Sequence, residues 1–492
     1  MKLNELLCRS AAETDYSSQK DIDITGISYD SRKIKPGNIF FAIKGLKDEG
    51  SKYIKDAVKN GAALIIAEEE TAEEVSADII ITKNIRKLMA VMSREFYFSN
   101  SGRIKLIGIT GTNGKTTTAY LTKYFLEEAG YKTGLIGTID YMLGEKKINS
   151  TLTTPDSVEM NAMLGEMEKN KTDFCVMEVS SIALVMDRVY GLKYDTAVFT
   201  NLTSEHLDFH GNMENYFEAK KILFDNLPEN SFALSNKDDD YGEKILENCR
   251  AGKKYYSIKN TSDLRAVNEK LFLGGLEFEA EYRNSNYKFN SNLSGRFNIY
   301  NILASVSVAL NYDIEISFLQ NSLKKFKEVN GRFNRIQLAN GAVAVVDYSH
   351  TSDSLKNAIE SAREIVNYEN RKGRVITVFG CGGNKDKTKR PVMGGYAVRL
   401  SDFAIITSDN PRYEDPMEII DEILKGVNPE TNFEVIENRE DAIKRGIEIS
   451  QEGDILLICG KGHETYQEAK GVRKHFDDKE IVEKYSGTVK II

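Results

Sequence analysis

A glycine-rich segment with one lysine and several hydroxyl side chains, Gly111-Thr-Asn-Gly-Lys-Thr-Thr117, has the composition of a phosphate-binding loop. It follows an apolar run and opens a segment with helical character. A helix start offers free N–H groups and a positive dipole end, and glycine lets phosphate approach the backbone. The Lys115 ammonium would then pair with the β- and γ-phosphates, and the Thr116 hydroxyl would bind Mg²⁺. Ile109 stands where the general motif has its first glycine, so an ordinary glycine turn is the alternative.

Carboxylate and imidazole side chains follow other apolar runs. Glu178 ends one such run, where a Mg²⁺ role and a place beside a helix start are equally consistent with the sequence. Four of the five histidines, His206, His210, His350 and His463, lie in polar clusters after apolar runs, which favours a functional site. The spacing of His206 and His210 resembles a zinc pair, but no third ligand is near in sequence, so we do not predict structural zinc.

Two arginines lie in segments that also follow apolar runs. Asp409-Asn-Pro-Arg412 is a turn that presents a guanidinium, and Arg390 lies in Lys389-Arg390-Pro391. Arginine forms bidentate pairs with carboxylates, which lysine does less well. Taken alone, each segment is more typical of a solvated turn than of a binding site.

The same unit, an apolar run followed by small, polar or glycine-rich residues, recurs along the chain. The seven runs cover residues 105–109, 174–177, 196–199, 342–346, 375–379, 404–407 and 455–459. Apolar runs without alternation are typical of strands buried on both faces of a parallel sheet. Ligands of such sheets bind beyond the carboxyl ends of the strands. The sequence therefore predicts an α/β protein with its chemistry at those ends.

The length of 492 residues indicates about three domains. The first 98 residues carry their own strand and helix pattern and end before Ser99-Asn-Ser-Gly-Arg103. A second joint is expected near Asn330-Gly-Arg332. We predict three α/β domains, at residues 1–98, 99–331 and 332–492.

Composition excludes several classes of protein. A net charge of −8, from 66 Lys and Arg against 74 Asp and Glu, argues against a protein that wraps nucleic acid, and no aromatic strand platform suggests a nucleic-acid motor. Five cysteines lie far apart with no CxxC spacing, which is typical of a reducing compartment. No signal peptide and no long apolar stretch is evident, so we expect a cytoplasmic protein and no contact with membrane or nucleic acid.

Together these segments resemble the Mur ligase family of peptidoglycan precursor synthesis, along essentially the whole chain. The matching segments, in the family's order, are Gly111–Thr117, Glu178–Ser181, Thr200–Thr203, His206–Gly211, Asp347–His350, Asp409–Arg412 and Gly460–Glu464. The resemblance implies an N-terminal domain for the UDP end of the substrate. It further implies a central P-loop, parallel-sheet ATPase domain and a C-terminal Rossmann-like domain.

The resemblance also implies roles for individual residues. The expected catalytic residues are Lys115, Glu178, His206 and Lys220. The expected Mg²⁺ ligands are Thr116, Glu178, His206 and Lys220, the last as a carbamate that turns a cation into an anion. The expected ATP residues are Gly111, Thr112, Asn113, Gly114, Lys115, Thr116, Thr117, Asn298, Arg332 and Asp347. Ser31, Thr153, Thr154, Ser180 and Arg188 are expected at the UDP-linked muramoyl dipeptide. Arg390, Asp409, Asn410, Pro411, Arg412, Gly460 and Glu464 are expected at the incoming amino acid.

The implied reaction is ATP-driven amide formation on UDP-N-acetylmuramoyl-L-Ala-D-Glu by a monomer. Within the family, the segments match best the branch that adds meso-diaminopimelate, because Arg412 offers its distal carboxylate a bidentate partner and Glu464 meets its distal ammonium. Met186 stands where the family usually has glutamine, and Glu205 where it has aspartate. The alternatives are the same ligase adding L-lysine, a ligase like folylpolyglutamate synthase, and a P-loop scaffold without amide chemistry.

Overall fold

The computed structural model describes residues 1–10, 22–45, 49–69, 75–98, 104–368 and 372–487. The described residues form two compact units, each made of several segments. The first unit comprises Met1–Gly108, Gly130–Ala197 and Asp225–Ser231, and the second comprises Ile109–Ala129, Val198–Phe224 and Phe232–Ile492. The predicted domain joint at residues 99–103 lies outside the described residues.

The N-terminal part of the first unit is a small parallel sheet with three helices. Its elements are α1 (Leu3–Arg9), β1 (Gly26–Ser28), β2 (Asn38–Ala42), α2 (Ile54–Lys59), β3 (Leu64–Ala67), β4 (Asp78–Ile81) and α3 (Ile85–Tyr97). The strands lie in the order β1-β2-β3-β4, and every neighbouring pair is parallel. All residues of β1, β2 and β3 are buried, as expected of apolar strands covered on both faces.

The middle of the chain carries most of the remaining strands. Its elements are β5 (Lys105–Thr110), α4 (Lys115–Glu128), β6 (Thr133–Ile136), β7 (Asp140–Leu143), β8 (Lys146–Asn149), α5 (Ser157–Lys169), β9 (Phe174–Glu178), α6 (Ser181–Val185), β10 (Thr196–Phe199), α7 (Leu207–His210), α8 (Met213–Asp225), β11 (Phe232–Asn236), β12 (Gly252–Ser257), β13 (Leu264–Phe272), β14 (Gly275–Tyr282), β15 (Ser285–Ser291), α9 (Phe297–Asn311) and α10 (Ile316–Leu323). Within the first unit the strand order is β9-β6-β7-β8, and within the second it is β15-β14-β13-β12-β11. The β6–β9 pair and the β11–β12 pair are parallel.

The C-terminal part of the second unit is a six-stranded sheet with helices. Its elements are β16 (Asn334–Gln337), β17 (Val343–Asp347), α11 (Ser352–Tyr368), β18 (Val375–Phe379), α12 (Lys389–Leu400), β19 (Phe403–Ile406), α13 (Pro416–Leu424), β20 (Phe433–Val435), α14 (Arg439–Ile449), β21 (Ile455–Cys459), β22 (Tyr466–Ala469), β23 (Val472–His475) and α15 (Asp478–Tyr485). The strand order is β16-β17-β21-β18-β19-β20, with β22 and β23 as a separate hairpin. Only β16 pairs antiparallel in this sheet.

The register of this sheet brings its polar loops to one edge. Asp347 and Phe379, the last residues of β17 and β18, both lie opposite Cys459, the last residue of β21. Ile406, which ends β19, lies opposite Phe379. The segments that follow these four strands therefore leave the sheet side by side, which is where ligands of α/β sheets bind.

A buried ion pair fixes the end of β21. The Arg439 guanidinium donates to Asp478 Oδ2 at 2.6 Å and to the Cys459 carbonyl at 3.0 Å, and the side chains of the pair are fully buried. Removing either partner would leave an unpaired charge in the protein interior, which is strongly unfavourable. The ion pair therefore holds the end of β21 in place. The segment after Cys459 thus starts from a rigid point.

All seven predicted apolar runs are strands, so the α/β prediction is confirmed. Among the helices of the described segments, none combines the length and apolar content needed to cross a bilayer.

Candidate active site

The phosphate loop joins β5 to α4 in the second unit. Gly111 and Gly114 have φ values of 148° and 85°, which side-chain-bearing residues rarely adopt. A Cβ on Gly111 would lie 1.9 Å from Thr200 Oγ1, and one on Gly114 would lie 2.5 Å from Asn301 Oδ1. Both positions therefore require glycine, so the loop takes the open-backbone form that a phosphate needs.

Two lysines meet at one carbonyl of this loop. Lys115 Nζ donates to the carbonyls of Gly111 at 2.9 Å and Thr112 at 2.7 Å, and Lys220 Nζ, from α8, donates to the Gly111 carbonyl at 2.8 Å. Burial lowers the pKa of Lys220 well below its ordinary value, the Lys115 charge lowers it further, and Glu205 opposes both. A neutral amine is the form that adds CO₂, so this environment suits the predicted carbamate.

Glu205 links two of the predicted histidines. Its carboxylate lies 3.0 Å from His350 Nε2 and 3.9 Å from His206 Nε2. Burial raises the pKa of Glu205, but the His350 hydrogen bond and the nearby positive charges outweigh burial and hold its pKa below the usual range. Partial burial lowers the pKa of His206 to about 4, with 40% of its side chain still exposed. A neutral imidazole is the form that binds metal.

Three residues predicted to contact the nucleotide are engaged near the phosphate loop. Arg332 Nη2 donates to Thr116 Oγ1 at 3.0 Å, and its guanidinium lies 4.7 Å from the centre of the Tyr348 ring. Asp347 Oδ2 accepts from the Phe333 N–H at 2.8 Å. The structure thus places Arg332 on the hydroxyl that is predicted to bind Mg²⁺.

Two of the asparagines predicted at the nucleotide make hydrogen bonds in or beside the loop. Asn298 Oδ1 accepts from Asn301 Nδ2 at 2.8 Å, beside Gly114. Asn113 Nδ2 donates to Asp353 Oδ2 at 2.9 Å. Asp353 was not among the predicted residues, although its position at the start of α11, just after the Asp347–His350 cluster, was an available signal.

The donor set fits Mg²⁺ only with a modified lysine. No group of three or more His, Cys, Asp or Glu side chains with metal-binding geometry occurs in the part of the chain that the structure describes. The second unit instead offers the Thr116 hydroxyl, the neutral His206 imidazole and the Lys220 amine. Because Mg²⁺ prefers anionic oxygen ligands, the predicted carbamate on Lys220 would supply what the unmodified side chains lack.

In the first unit, Glu178 is fully buried at the end of β9. Its Oε1 accepts from the Thr138 N–H at 2.8 Å, and its Oε2 accepts from the Thr138 hydroxyl at 3.0 Å. Thr138 Oγ1 also lies 3.1 Å from Thr153 Oγ1. Thr138 was missed by the sequence reasoning, although the Gly137-Thr138 pair directly after β6 repeats the pattern seen after the other strands.

The first unit also brings together the residues predicted at the muramoyl dipeptide. The Thr154 hydroxyl donates to the Glu178 carbonyl at 2.9 Å and accepts from the Ser180 N–H at 3.0 Å. Arg188 Nη1 donates to the Thr154 carbonyl at 3.0 Å. Met186 directly follows α6, two residues before Arg188. These contacts gather hydroxyls and a guanidinium, which together suit a carboxylate-bearing peptide.

Asp156 is a further residue of this cluster that the sequence did not reveal. It stands at the N-cap of α5, yet its side chain makes no capping hydrogen bond. Its Oδ1 instead lies 3.1 Å from Arg188 Nε, and its Oδ2 accepts from the Tyr29 hydroxyl at 3.0 Å. Aspartate is a preferred capping residue, yet this side chain turns away from the helix N–H groups. Asp156 therefore pairs with Arg188 and does not stabilise the start of α5.

Ser31, the residue predicted at the uridine end, lies beside a cavity of the first unit. The cavity has a volume of about 260 Å³, and its walls include Tyr29, Asp30, Lys33 and Glu159. Ser31 itself is buried and does not line the cavity. The Ser31 carbonyl accepts from Asn60 Nδ2 at 3.0 Å, which fixes the turn.

The two segments predicted at the amino acid touch each other in the second unit. Asn410 Nδ2 donates to Glu464 Oε2 at 2.8 Å. Gly460 has a φ of 120°, and a Cβ there would lie 2.5 Å from Asp409 Oδ2. The Asp409–Arg412 turn and the Gly460–Glu464 segment therefore pack together and would form one wall of the predicted amino-acid pocket.

Arg412 is held by the β22–β23 hairpin, which the sequence did not indicate. Its φ is 54°, and its N–H donates to the Glu468 carbonyl at 2.9 Å. Arg412 Nη1 donates to the Gly383 carbonyl at 2.7 Å. A Cβ on Gly383 would lie 2.0 Å from the Pro411 carbonyl oxygen, so the glycine-rich loop after β18 packs against the turn.

Arg390 is placed behind this pocket wall. It is fully buried, and its Nη1 lies 2.9 Å from Glu414 Oε2 and 2.7 Å from Glu422 Oε2. The Arg390 hydrogen bond lowers the pKa of Glu414 to about 2. Because two carboxylates already engage the guanidinium, its predicted contact with the amino acid stays a prediction.

Three consecutive parts of the chain match known protein families. Residues 23–97 match the family described as "Mur ligase family, catalytic domain", residues 109–309 the "Mur ligase middle domain", and residues 331–462 the "Mur ligase, glutamate ligase domain". These three consecutive matches agree with the predicted three-domain architecture of a central parallel-sheet ATPase and a C-terminal Rossmann-like domain.

Individual relatives cover nearly the full length. A Clostridium botulinum protein named UDP-N-acetylmuramoyl-L-alanyl-D-glutamate–2,6-diaminopimelate ligase is 44% identical over 489 residues, which are 98% of this chain and 99% of the relative. A Clostridium acetobutylicum protein with the same name and the number 1 is 43% identical, over 94% of this chain and 95% of its own. A solved structure of a ligase of that name superposes with a TM-score of 0.69 at 29% identity, covering 99% of this chain and 98% of the other. The chain therefore belongs to the Mur ligase family.

Proposed function

We propose that the protein is an ATP-dependent ligase that joins meso-diaminopimelate to the D-Glu γ-carboxylate of UDP-N-acetylmuramoyl-L-Ala-D-Glu. The observation that carries this proposal is the pocket wall in which Asn410 ties the Arg412 turn to Glu464. A guanidinium and a carboxylate in one wall complement the distal carboxylate and ammonium of diaminopimelate. The names of the relatives at 43–44% identity support the same substrates.

The reaction proceeds in two transfers. The γ-carboxylate oxygen attacks the γ-phosphorus of ATP, the bond to the β-phosphate oxygen breaks, and ADP leaves. The amino acid's neutral amine then attacks the acyl carbon, a C–N bond replaces the C–O bond, and phosphate leaves with one amine proton. Because an anion attacks an anion, cations must offset the repulsion.

Lys115 supplies one such cation directly, from its position on the phosphate-loop carbonyls. When bound, Mg²⁺ neutralises charge on the triphosphate, and the second unit would hold it through Thr116, His206 and the carbamate of Lys220. The role of Glu178 as a further ligand stays a proposal from the family resemblance. In the first unit, Thr154, Ser180 and Arg188 would hold the dipeptide, with Thr153 beside them and the uridine end near Ser31.

We also propose that the protein acts in the cytoplasm as a monomer. Widely separated thiols, four of which are buried, support the reducing location.

The alternative ligases fit less well. A folylpolyglutamate synthase-like activity does not explain the match of residues 23–97 to the Mur ligase family. Addition of L-lysine would leave Arg412 facing no carboxylate, which an enzyme site disfavours by a few kcal/mol as an order of magnitude. A scaffold without amide chemistry would have no use for a buried lysine whose pKa is lowered as far as that of Lys220.

Phosphate release with three substrates tests the proposed function. We expect release only when ATP, UDP-N-acetylmuramoyl-L-Ala-D-Glu and meso-diaminopimelate are all present, with the two-substrate mixtures as controls. Release with a folyl glutamate acceptor, or none with all three Mur substrates, would contradict the proposal.

Asp156→Asn should weaken binding of the UDP-linked substrate. We expect its KM to rise about 10-fold, because a partly buried charge pair contributes roughly 1–2 kcal/mol. The KM values for ATP and diaminopimelate should stay within about twofold. Glu166→Gln, also on α5, is the matched control, since its partner Lys146 is an exposed side chain at 3.0 Å and the change should have little effect. An equal rise in all three KM values would show a general structural role instead.

A further inference from the structure

A lysine that the substrate-site predictions did not use is buried behind the amino-acid pocket. Lys461 follows β21 and its side chain is 0% exposed. Its Nζ contacts three acceptors: the Tyr466 carbonyl, Glu464 Oε2 at 3.3 Å and Asn410 Oδ1 at 3.4 Å. A buried ammonium is unfavourable unless it is fully paired, so these three contacts define its position.

Two donors hold the Glu464 carboxylate. One oxygen, Oε2, accepts from both Lys461 Nζ and Asn410 Nδ2. Two donors from different segments converge on that atom, and they fix the plane of the carboxylate. The Glu464 side chain retains 17% exposure, so Oε1 is the oxygen available to a ligand ammonium.

Lys461 also contacts the hairpin that holds Arg412. Asn410 Oδ1 accepts from the Glu468 N–H at 2.9 Å as well as from Lys461. Tyr466 and Glu468 both belong to β22, and the Glu468 carbonyl accepts from the Arg412 N–H at 2.9 Å. One ammonium therefore ties together the strand that orients Arg412 and the carboxylate of Glu464.

We propose that Lys461 is a positioning residue that sets the selectivity of the amino-acid pocket. It does not contact the amino acid. It fixes Glu464 Oε1 relative to the Arg412 turn, so that the wall matches a distal ammonium and a distal carboxylate at the same time. This inference rests on the proposed function, because it takes the amino acid to be a diamino diacid.

Steady-state kinetics of Lys461→Met test the inference, with meso-diaminopimelate, L-lysine, ATP and the UDP-linked substrate each varied. We expect the KM for diaminopimelate to rise about 30-fold and the preference for diaminopimelate over L-lysine, as a ratio of kcat/KM, to fall at least about 10-fold. The KM values for ATP and the UDP-linked substrate should stay within about twofold. Lys474→Met, an exposed lysine of the same hairpin, is the control and should change none of them.

A double-mutant cycle separates positioning from general destabilisation. In a Glu464→Gln background, Lys461→Met should raise the KM for diaminopimelate by less than about threefold, since the group that it positions is already altered. Fully additive effects, or equal rises in the KM of every substrate, would overturn the inference. If Lys461→Met does not fold, Lys461→Arg serves instead. It keeps the charge but moves its donors, so selectivity should fall about fivefold, and an unchanged ratio would overturn the inference.

The experiments distinguish a wrong proposed function from a wrong role for Lys461. If the unmodified protein shows no turnover dependent on diaminopimelate, the proposed function is wrong. If it turns over diaminopimelate and the Lys461 variants keep its selectivity, only the positioning role is wrong.

Discussion

Lys220→Ala should lower kcat for ligation by at least about 1,000-fold, because removing a principal electrostatic group from an active site has effects of that order. Lys220 is buried beside Lys115 and donates to the Gly111 carbonyl of the phosphate loop. Its lowered pKa favours the neutral amine, which is the form that would add CO₂ to give the proposed carbamate. The change would therefore remove both the proposed carbamate and its share of the proposed Mg²⁺ site.

Lys220→Arg is the informative control. It places a cation at this position but cannot form the carbamate, so we expect it to be nearly as inactive as Lys220→Ala. Short carboxylates such as acetate should restore part of the activity of Lys220→Ala, by filling the place of the carbamate, and none of Lys220→Arg. ATP binding measured without Mg²⁺ should change little in either variant. Activity of Lys220→Arg within about tenfold of the unmodified protein would show that Lys220 acts as a simple cation.

Arg412→Ala should raise the KM for meso-diaminopimelate by at least about 100-fold, equivalent to roughly 3 kcal/mol, the upper range for a charge-assisted hydrogen-bonded pair. The turn holds Arg412 in a left-handed conformation and pairs its N–H with the hairpin, so the guanidinium is in place before the ligand arrives. Arg412→Lys should rescue little, because an ammonium cannot form the bidentate pair.

Substrate-specific KM values distinguish this role from a structural one. Arg412→Ala should leave the KM for ATP within about twofold. Arg445→Ala, on α14, is the matched control, because it removes an arginine that pairs with Glu434 at 2.8 Å and takes no part in the amino-acid pocket. A similar rise in the KM for ATP and for diaminopimelate would contradict the assigned role of Arg412.

Strands and their following loops were predictable because both depend on local sequence. The apolar runs at residues 375–379 and 455–459 have no alternation, and they form β18 and β21 in a parallel sheet. Once parallel strands are established, their carboxyl ends share an edge, and the segments after them meet without further information. The contact of Asn410 with Glu464 follows from that rule.

Partners across long stretches of chain were not predictable. Asp156 pairs with Arg188 and does not cap α5. This contact could not be predicted, because Arg188 is distant from Asp156 in the sequence. The same holds for Arg390, whose burial against Glu414 and Glu422 no local pattern indicates. The β22–β23 hairpin has mixed polar residues with no regular alternation of apolar and polar positions. Its contact with the Arg412 turn could therefore not be predicted from the sequence. The domain boundaries at residues 98 and 331 stay predictions.

Direct competition between two amino acids tests the central claim most sharply. The protein is supplied with ATP, Mg²⁺, UDP-N-acetylmuramoyl-L-Ala-D-Glu and equal concentrations of meso-diaminopimelate and L-lysine, and the nucleotide-linked products are identified by mass spectrometry. Because Arg412 and Glu464 lie in one pocket wall, we expect the diaminopimelate product in at least about 100-fold excess over the lysine product. A product mixture dominated by lysine, or no nucleotide-linked product at all, would contradict the account.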